Sequence, residues 1–113
     1  MTKQRFHYTF CNTMSRADSD AAWEQYVVPE SRNVPRSTLT AQGRVDFTKE
    51  HVPLLMLAGD TDHLTPAPMI RANAARYATP VEFREFANRS HFICNQPGWE
   101  EVAELSFDWL EGV

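Results

Sequence analysis

From Pro53 to Gly59 the chain runs Pro53-Leu54-Leu55-Met56-Leu57-Ala58-Gly59, and an acidic turn, Asp60-Thr61-Asp62, follows at once. A short continuous apolar run closed by glycine reads as a strand buried on both faces, as in a parallel sheet. Such a strand needs partners on its edges and cover on both sides, which directs the chain toward layered α/β packing. The residues that follow keep to that pattern. The alanines, Met69, Ile70 and Tyr77 predict a helix over about 67–78 with Thr65 as its cap, and Pro66 and Pro68 are tolerated in a first turn. After Pro80, Val81, Phe83 and Glu85 alternate with Glu82, Arg84 and Phe86, the period of a strand with one more polar face. Pro97 opens a last helix whose Trp99, Val102, Ala103, Leu105, Phe107, Trp109 and Leu110 line most of its circumference before Gly112. Strand, helix, strand, helix implies a right-handed parallel crossover.

Upstream, Ser15 and Asp18 have the form of a capping box, and Ala21, Ala22, Trp23, Tyr26 and Val27 recur at helical spacing, predicting an amphipathic helix over 16–28. Pro29, Asn33, Pro35, Ser37 and Thr38 then mark irregular chain to about Lys49, the natural boundary. A chain of 113 residues fits one domain with a modest core, burying roughly 65% of its unfolded surface.

Lysine and arginine number 11 against 15 aspartates and glutamates and are scattered singly, so no basic stripe exists to meet a phosphate backbone and nucleic acid is not an expected partner. No apolar run approaches the roughly 20 residues of a membrane span. The basic start, Lys3 and Arg5, is followed by His7, Asn12, Arg16 and Asp18 where a signal peptide needs an unbroken apolar stretch, and the expected compartment is the cytoplasm. Cys11 and Cys94 form neither a C-x-x-C pair nor a framework, and both read as reduced, structural thiols.

In an open parallel sheet, functional groups gather beyond the C-terminal ends of the strands. Asp62 lies three residues past Gly59, and His91 five past Phe86. A carboxylate bonded to one ring nitrogen fixes the imidazole tautomer and stabilises the imidazolium formed when the other nitrogen takes a proton. Asp60 reads as a turn or capping residue. His63 with Asp60, Asp62 and His91 suggests a metal cluster, but the spacing matches no standard site, and no metal is expected. His7 and His51 read as ordinary polar residues, the tryptophans and phenylalanines as core, and Phe92 as a lining residue of a substrate pocket.

These segments resemble the C-terminal end of the α/β-hydrolase family. The run Pro53 to Pro66 is similar to that family's acid-bearing strand and loop, Asn88-Arg89-Ser90-His91-Phe92 to its histidine loop, and Gln96-Pro97-Gly98-Trp99-Glu100-Glu101-Val102-Ala103 to its closing helix. The acid precedes the histidine, as in the family's chain order. The resemblance covers residues 49–113 well and 1–48 loosely, as the end of a cap segment. It implies that Asp62 and His91 are the acid and histidine of a nucleophile–histidine–acid site, with no cofactor.

Two departures stand out. The family's nucleophile sits in a G-x-S-x-G turn before the acid; glycines occur here only at 43, 59, 98 and 112, and none of Ser15, Ser19, Ser31 or Ser37 lies in a glycine-flanked elbow. Ser90 stands where the family often has glycine before the histidine, so a differently turned backbone is expected there. The reading is therefore an α/β chain, with a cap-derived helical segment and linker over 1–48 and a partial parallel sheet with crossover and C-terminal helices over 49–113. It would supply the acid and histidine for hydrolysis of an ester-like small molecule, inactive until completed by a segment or partner polypeptide carrying the nucleophile. The alternatives are a non-catalytic interaction or homo-oligomerisation module and a small metal-binding protein.

Overall fold

The apolar run is a strand, β1 (Leu55–Gly59), and it pairs in parallel with β2 (Glu82–Phe86), Leu55 opposite Glu82 and Gly59 opposite Phe86. The computed structural model, which describes all 113 residues, contains no third strand. Between the two strands runs a helix over Ala67–Ala74 that packs on both of them, and after the histidine loop comes the C-terminal helix Trp99–Glu111. The chain is thus a mixed helix and strand fold around a small parallel sheet.

That size changes how β1 is buried. Only Ala58 and Gly59 are buried, while Leu55, Met56 and Leu57 are half-buried, because a two-stranded sheet leaves one edge of β1 without a neighbour. The expectation of a strand covered on both faces is corrected accordingly. The same holds for the C-terminal helix, which buries only Val102 and leaves Trp99, Phe107 and Leu110 at 44%, 65% and 57% exposure. Reading every tryptophan and phenylalanine as core is wrong for Trp99 and Phe107.

Before the sheet, α1 (Lys3–Phe10) and α2 (Arg16–Tyr26) pack against each other, followed by a short helix α3 (Asn33–Ser37) and a 3-10 turn (Ala41–Gly43). In this order the crossover helix is α4 and the C-terminal helix α5. Ser15 caps α2 as its spacing predicts, its hydroxyl accepting from the Asp18 amide at 3.1 Å and bonding the Asp18 carboxylate at 2.6 Å. The helix stops at Tyr26, short of the predicted end at residue 28, and α4 stops at Ala74 rather than 78. The stretch expected to be irregular holds α3 and the 3-10 turn, both fully exposed.

Helix α1 is not anticipated by any sequence pattern. Its apolar Phe6 and Phe10 are spaced for one helical face but are too few to register as a period. Its stability comes from docking, as for most short helices. Phe6, Cys11 and Ala22 form a small buried core, joined by Phe10, Met14, Trp23, Val27 and, from the far end of the chain, Phe92. Cys11 is fully buried, whereas Cys94 is exposed, so the structural reading holds for Cys11 alone.

Candidate active site

Two loops leave the same end of the sheet and are tied together by backbone. Asp60 donates its amide to the Phe86 carbonyl at 3.0 Å, and Thr61 donates both its amide (3.2 Å) and its hydroxyl (2.7 Å) to the carbonyl of Arg89. Gly59 is required here: a Cβ at this position would lie 2.2 Å from the Arg89 carbonyl oxygen. The end of α1 holds both loops from above. Asn12 donates its side-chain amide to the Thr61 carbonyl at 2.9 Å, and the Phe92 amide donates to the Phe10 carbonyl at 2.9 Å.

This lacing brings Asp62 and His91 together. Asp62 Oδ2 lies 2.9 Å from His91 Nδ1 and also accepts the Thr65 hydroxyl at 2.8 Å, while Oδ1 accepts the amides of Leu64 (2.7 Å) and Thr65 (2.9 Å). The Asp62 side chain is nearly buried and that of His91 is about one-third exposed, at 6% and 31%. Burial alone pushes the Asp62 carboxyl up, but the hydrogen bonds from Thr65, His91 and Leu64 together outweigh it and hold the group below its usual range. A carboxylate kept ionised in this way accepts from Nδ1–H, leaving Nε2 as the free lone pair. No protein group hydrogen-bonds Nε2.

Two expectations change here. Thr65 does not cap α4; it turns back onto Asp62, and Pro66 occupies the cap position without a side-chain bond. The turn-capping role expected of Asp60 belongs to Asp62, whose carboxylate takes the two amides of the turn, while Asp60 is exposed. Asp62 thus has both jobs. His63 points elsewhere: it is exposed, its Nδ1 lies 2.8 Å from the Tyr8 carbonyl, and its ring packs on Tyr8 at 4.6 Å. No three histidine, cysteine or acidic side chains converge as a metal-binding set.

Residues that the sequence did not point to hold the histidine loop. Gln96, almost fully buried, accepts through Oε1 from both the amide (2.8 Å) and hydroxyl (2.9 Å) of Ser90, and its Nε2 donates to the Asn88 carbonyl at 3.3 Å. The left-handed turn that the loop requires falls at Asn88, with φ 55°, so Ser90 does without glycine's freedom. Arg89 donates to the carbonyls of Pro97 and Gly98 at 2.6 and 2.8 Å, pinning the start of α5. Asp62-x-x-Thr65 before Pro66 is a local Asx pattern that could have signalled the Thr65 contact. Nothing in the spacing announces Gln96.

His91 forms one wall of a cavity of about 690 Å³, lined mainly by Phe6, Phe10, Tyr26, Val27 and Phe92. Asp62, bonded to the His91 ring through Nδ1, is not among its walls. Phe92, expected to line a pocket, does so. No serine, threonine or cysteine lines the cavity. The nearby core thiol is no substitute: burial pushes Cys11 up, and the Ser19 hydroxyl only partly offsets this, so it stays protonated. No helix of the chain is long and apolar enough to cross a membrane. No family model matches the chain, and no curated protein or solved structure matches it.

Proposed function

We propose that the chain is the acid and histidine portion of an α/β-hydrolase site, acting on an ester-like small molecule once a nucleophile is supplied by another segment or polypeptide. The observation that carries this reading is the 2.9 Å contact between Asp62 Oδ2 and His91 Nδ1, beside an apolar cavity that the same ring lines. With a hydroxyl or thiol brought to Nε2, the lone pair there takes its proton as the nucleophile attacks the carbonyl carbon. Asp62 stabilises the imidazolium, which then gives the proton to the leaving alkoxide, and a water attacking the acyl group in the same way completes the turnover. The proposed compartment is the cytoplasm, in keeping with two cysteines that are not paired with each other.

The test is hydrolysis of a short-chain chromogenic ester by the purified chain, alone and together with the polypeptide that assembles with it in its source. Alone, the chain is expected to show no acyl burst and only weak general-base hydrolysis. The completed site is expected to turn over, and His91→Ala to remove several powers of ten in rate, the scale of a lost triad member. Turnover indifferent to His91→Ala would overturn the reading.

The exposed apolar residues of α5 and the unpaired edge of β1 favour a second reading, a non-catalytic interaction or oligomerisation module. On that reading assembly occurs, no assembled form hydrolyses the ester, and His91→Ala leaves assembly intact.

A further inference from the structure

We infer that the cavity against His91 is a binding site for an uncharged small molecule consisting of an aromatic or alkyl body and a hydroxyl group, which donates to His91 Nε2. The inference goes beyond hydrolysis, since it rests on the Asp62–His91 pair and the cavity walls and requires neither a nucleophile nor turnover.

The space and its walls set the body of the ligand. About 690 Å³ lies within the range of small-molecule pockets. Four aromatic side chains form a connected frame: Phe6 stacks on Phe10 at 5.2 Å, meets Phe92 edge-on at 6.1 Å, and Phe92 in turn contacts Tyr26 at 5.8 Å. Phe6 belongs to the buried core with Cys11 and Ala22, and Phe10, Val27 and Phe92 pack against it, so this part of the wall is present before any ligand arrives. An apolar body gains by leaving water for such a surface.

The polar groups set its head. Asp62 is held ionised and bonded to Nδ1, which fixes the tautomer and leaves Nε2 an acceptor without a partner. Apart from Tyr26 with its hydroxyl and the exposed Met1 and Glu30, the lining side chains other than His91 are apolar, and an acceptor among them calls for a donor. A hydroxyl supplies one without carrying a charge out of water. An ionised carboxylate would oppose acceptor to acceptor at Nε2, and the one cationic group of the lining, the amino group of Met1, belongs to a residue that is 59% exposed, where water weakens any pairing. An ammonium head would supply donors at a greater desolvation cost. Formal charges occur only on residues of the exposed rim, the Glu30 carboxylate, which accepts the Ser31 amide at 2.7 Å, and the amino group of Met1.

The experiment uses three probes with one skeleton, naphthol, its methyl ether and naphthoate, titrated into the full chain by calorimetry and by NMR. Naphthol is expected to bind saturably and to shift His91 and Phe92 resonances. The ether, lacking the donor, is expected to bind about three- to ten-fold more weakly, the scale of one uncharged hydrogen bond, and naphthoate more weakly still. In His91→Phe the gap between naphthol and ether is expected to close to within about twofold, since only that bond distinguishes them. Val28 lines the cavity yet is 71% exposed, so Val28→Trp tests the same space without disturbing the core and is expected to weaken all three probes. Equal affinity of naphthol and ether for the unmodified chain, absence of saturable binding in the millimolar range, or shifts centred on Trp99 instead of His91 would each overturn the proposal. An assembled site without ester turnover, with the naphthol preference intact, would defeat the hydrolase reading alone.

Discussion

The backbone of Gly59 passes so close beneath the carbonyl of Arg89 that a single added carbon would sit 2.2 Å from that oxygen. This approach joins the end of β1 to the histidine loop and brings Asp62 within reach of His91. The carbonyl belongs to a backbone already accepting two bonds from Thr61, so it cannot simply swing aside. Gly59→Ala is therefore expected to part the loops and to cost about 1–3 kcal/mol, the range for forcing an extra methyl into packed structure. The urea midpoint reads the stability loss, and the proton on His91 Nδ1, shifted downfield by its bond to Asp62, reads the separation. An unchanged downfield resonance in the variant would show that the approach is not what aligns the pair.

Gln96 is the second support. Its Oε1 satisfies two donors of Ser90, a residue with no exposed surface. Gln96→Leu keeps the bulk but strands the Ser90 amide and hydroxyl, and leaving a buried donor unpaired costs about 1–3 kcal/mol. Ser90→Ala removes only the hydroxyl and leaves the amide bond, so it is expected to cost less than Gln96→Leu. Chemical denaturation of the two variants in parallel checks the order, and the reverse order would refute this account of the loop.

The acid sets a pH dependence. Burial raises the Asp62 carboxyl, but its four hydrogen bonds lower it further, so its folded value lies below its unfolded one. A group depressed in this way stabilises the fold above its unfolded value of about 4, and the contribution disappears as pH falls through the folded value. The stability difference between the native chain and Asp62→Asn is thus expected to shrink as pH falls from about 5 to below about 4. Urea denaturation across that interval measures it; a difference that grows on acidification would reverse the sign assigned here.

His63 sits beside the acid in sequence but not in space. Its bond to the Tyr8 carbonyl ties it to α1, and its side chain is exposed. Under the proposed hydrolase reading, His63→Gln is expected to leave the activity of the completed site within a few-fold, against a loss of several powers of ten for His91→Ala. Similar losses from both would erase the distinction between them.

What could be read from the sequence was what local chemistry decides. The run from Leu54 to Ala58 had one plausible state, Ser15 with Asp18 formed the predicted cap, and Asp62 and His91 fell past the ends of parallel strands where side chains converge. Thr65 was ambiguous because a threonine before a helix serves equally well as its cap or as a donor back to the preceding aspartate, and the nearly buried carboxylate took it. Gln96 was invisible because its partners are chosen by the fold of a loop, and α1 because two apolar residues make no period and its docking on α2 and Phe92 is decided by tertiary packing. The exposure of Trp99 and Phe107 follows from how many strands lie beneath α5, a number that no periodicity contains.

That exposure makes a last prediction. The strand β1 has a paired edge toward β2 and a bare edge on its other side, with half-buried Leu55, Met56 and Leu57 along it. Beside it, Leu57, Cys94, Trp99, Val102 and Ala103 line an open apolar groove of about 260 Å³, and the same helix displays Phe107 and Leu110. Unpaired strand backbone next to exposed apolar side chains is the usual template for pairing with another chain. The purified protein is expected to associate at micromolar concentration, running above the 13.0 kDa of one chain in size-exclusion chromatography with light scattering. Phe107→Glu alters a side chain that is 65% exposed, so it should leave the fold intact while weakening association. A monodisperse species of 13.0 kDa at every concentration, with the variant indistinguishable from it, would show that a two-stranded sheet with this open edge is sufficient by itself.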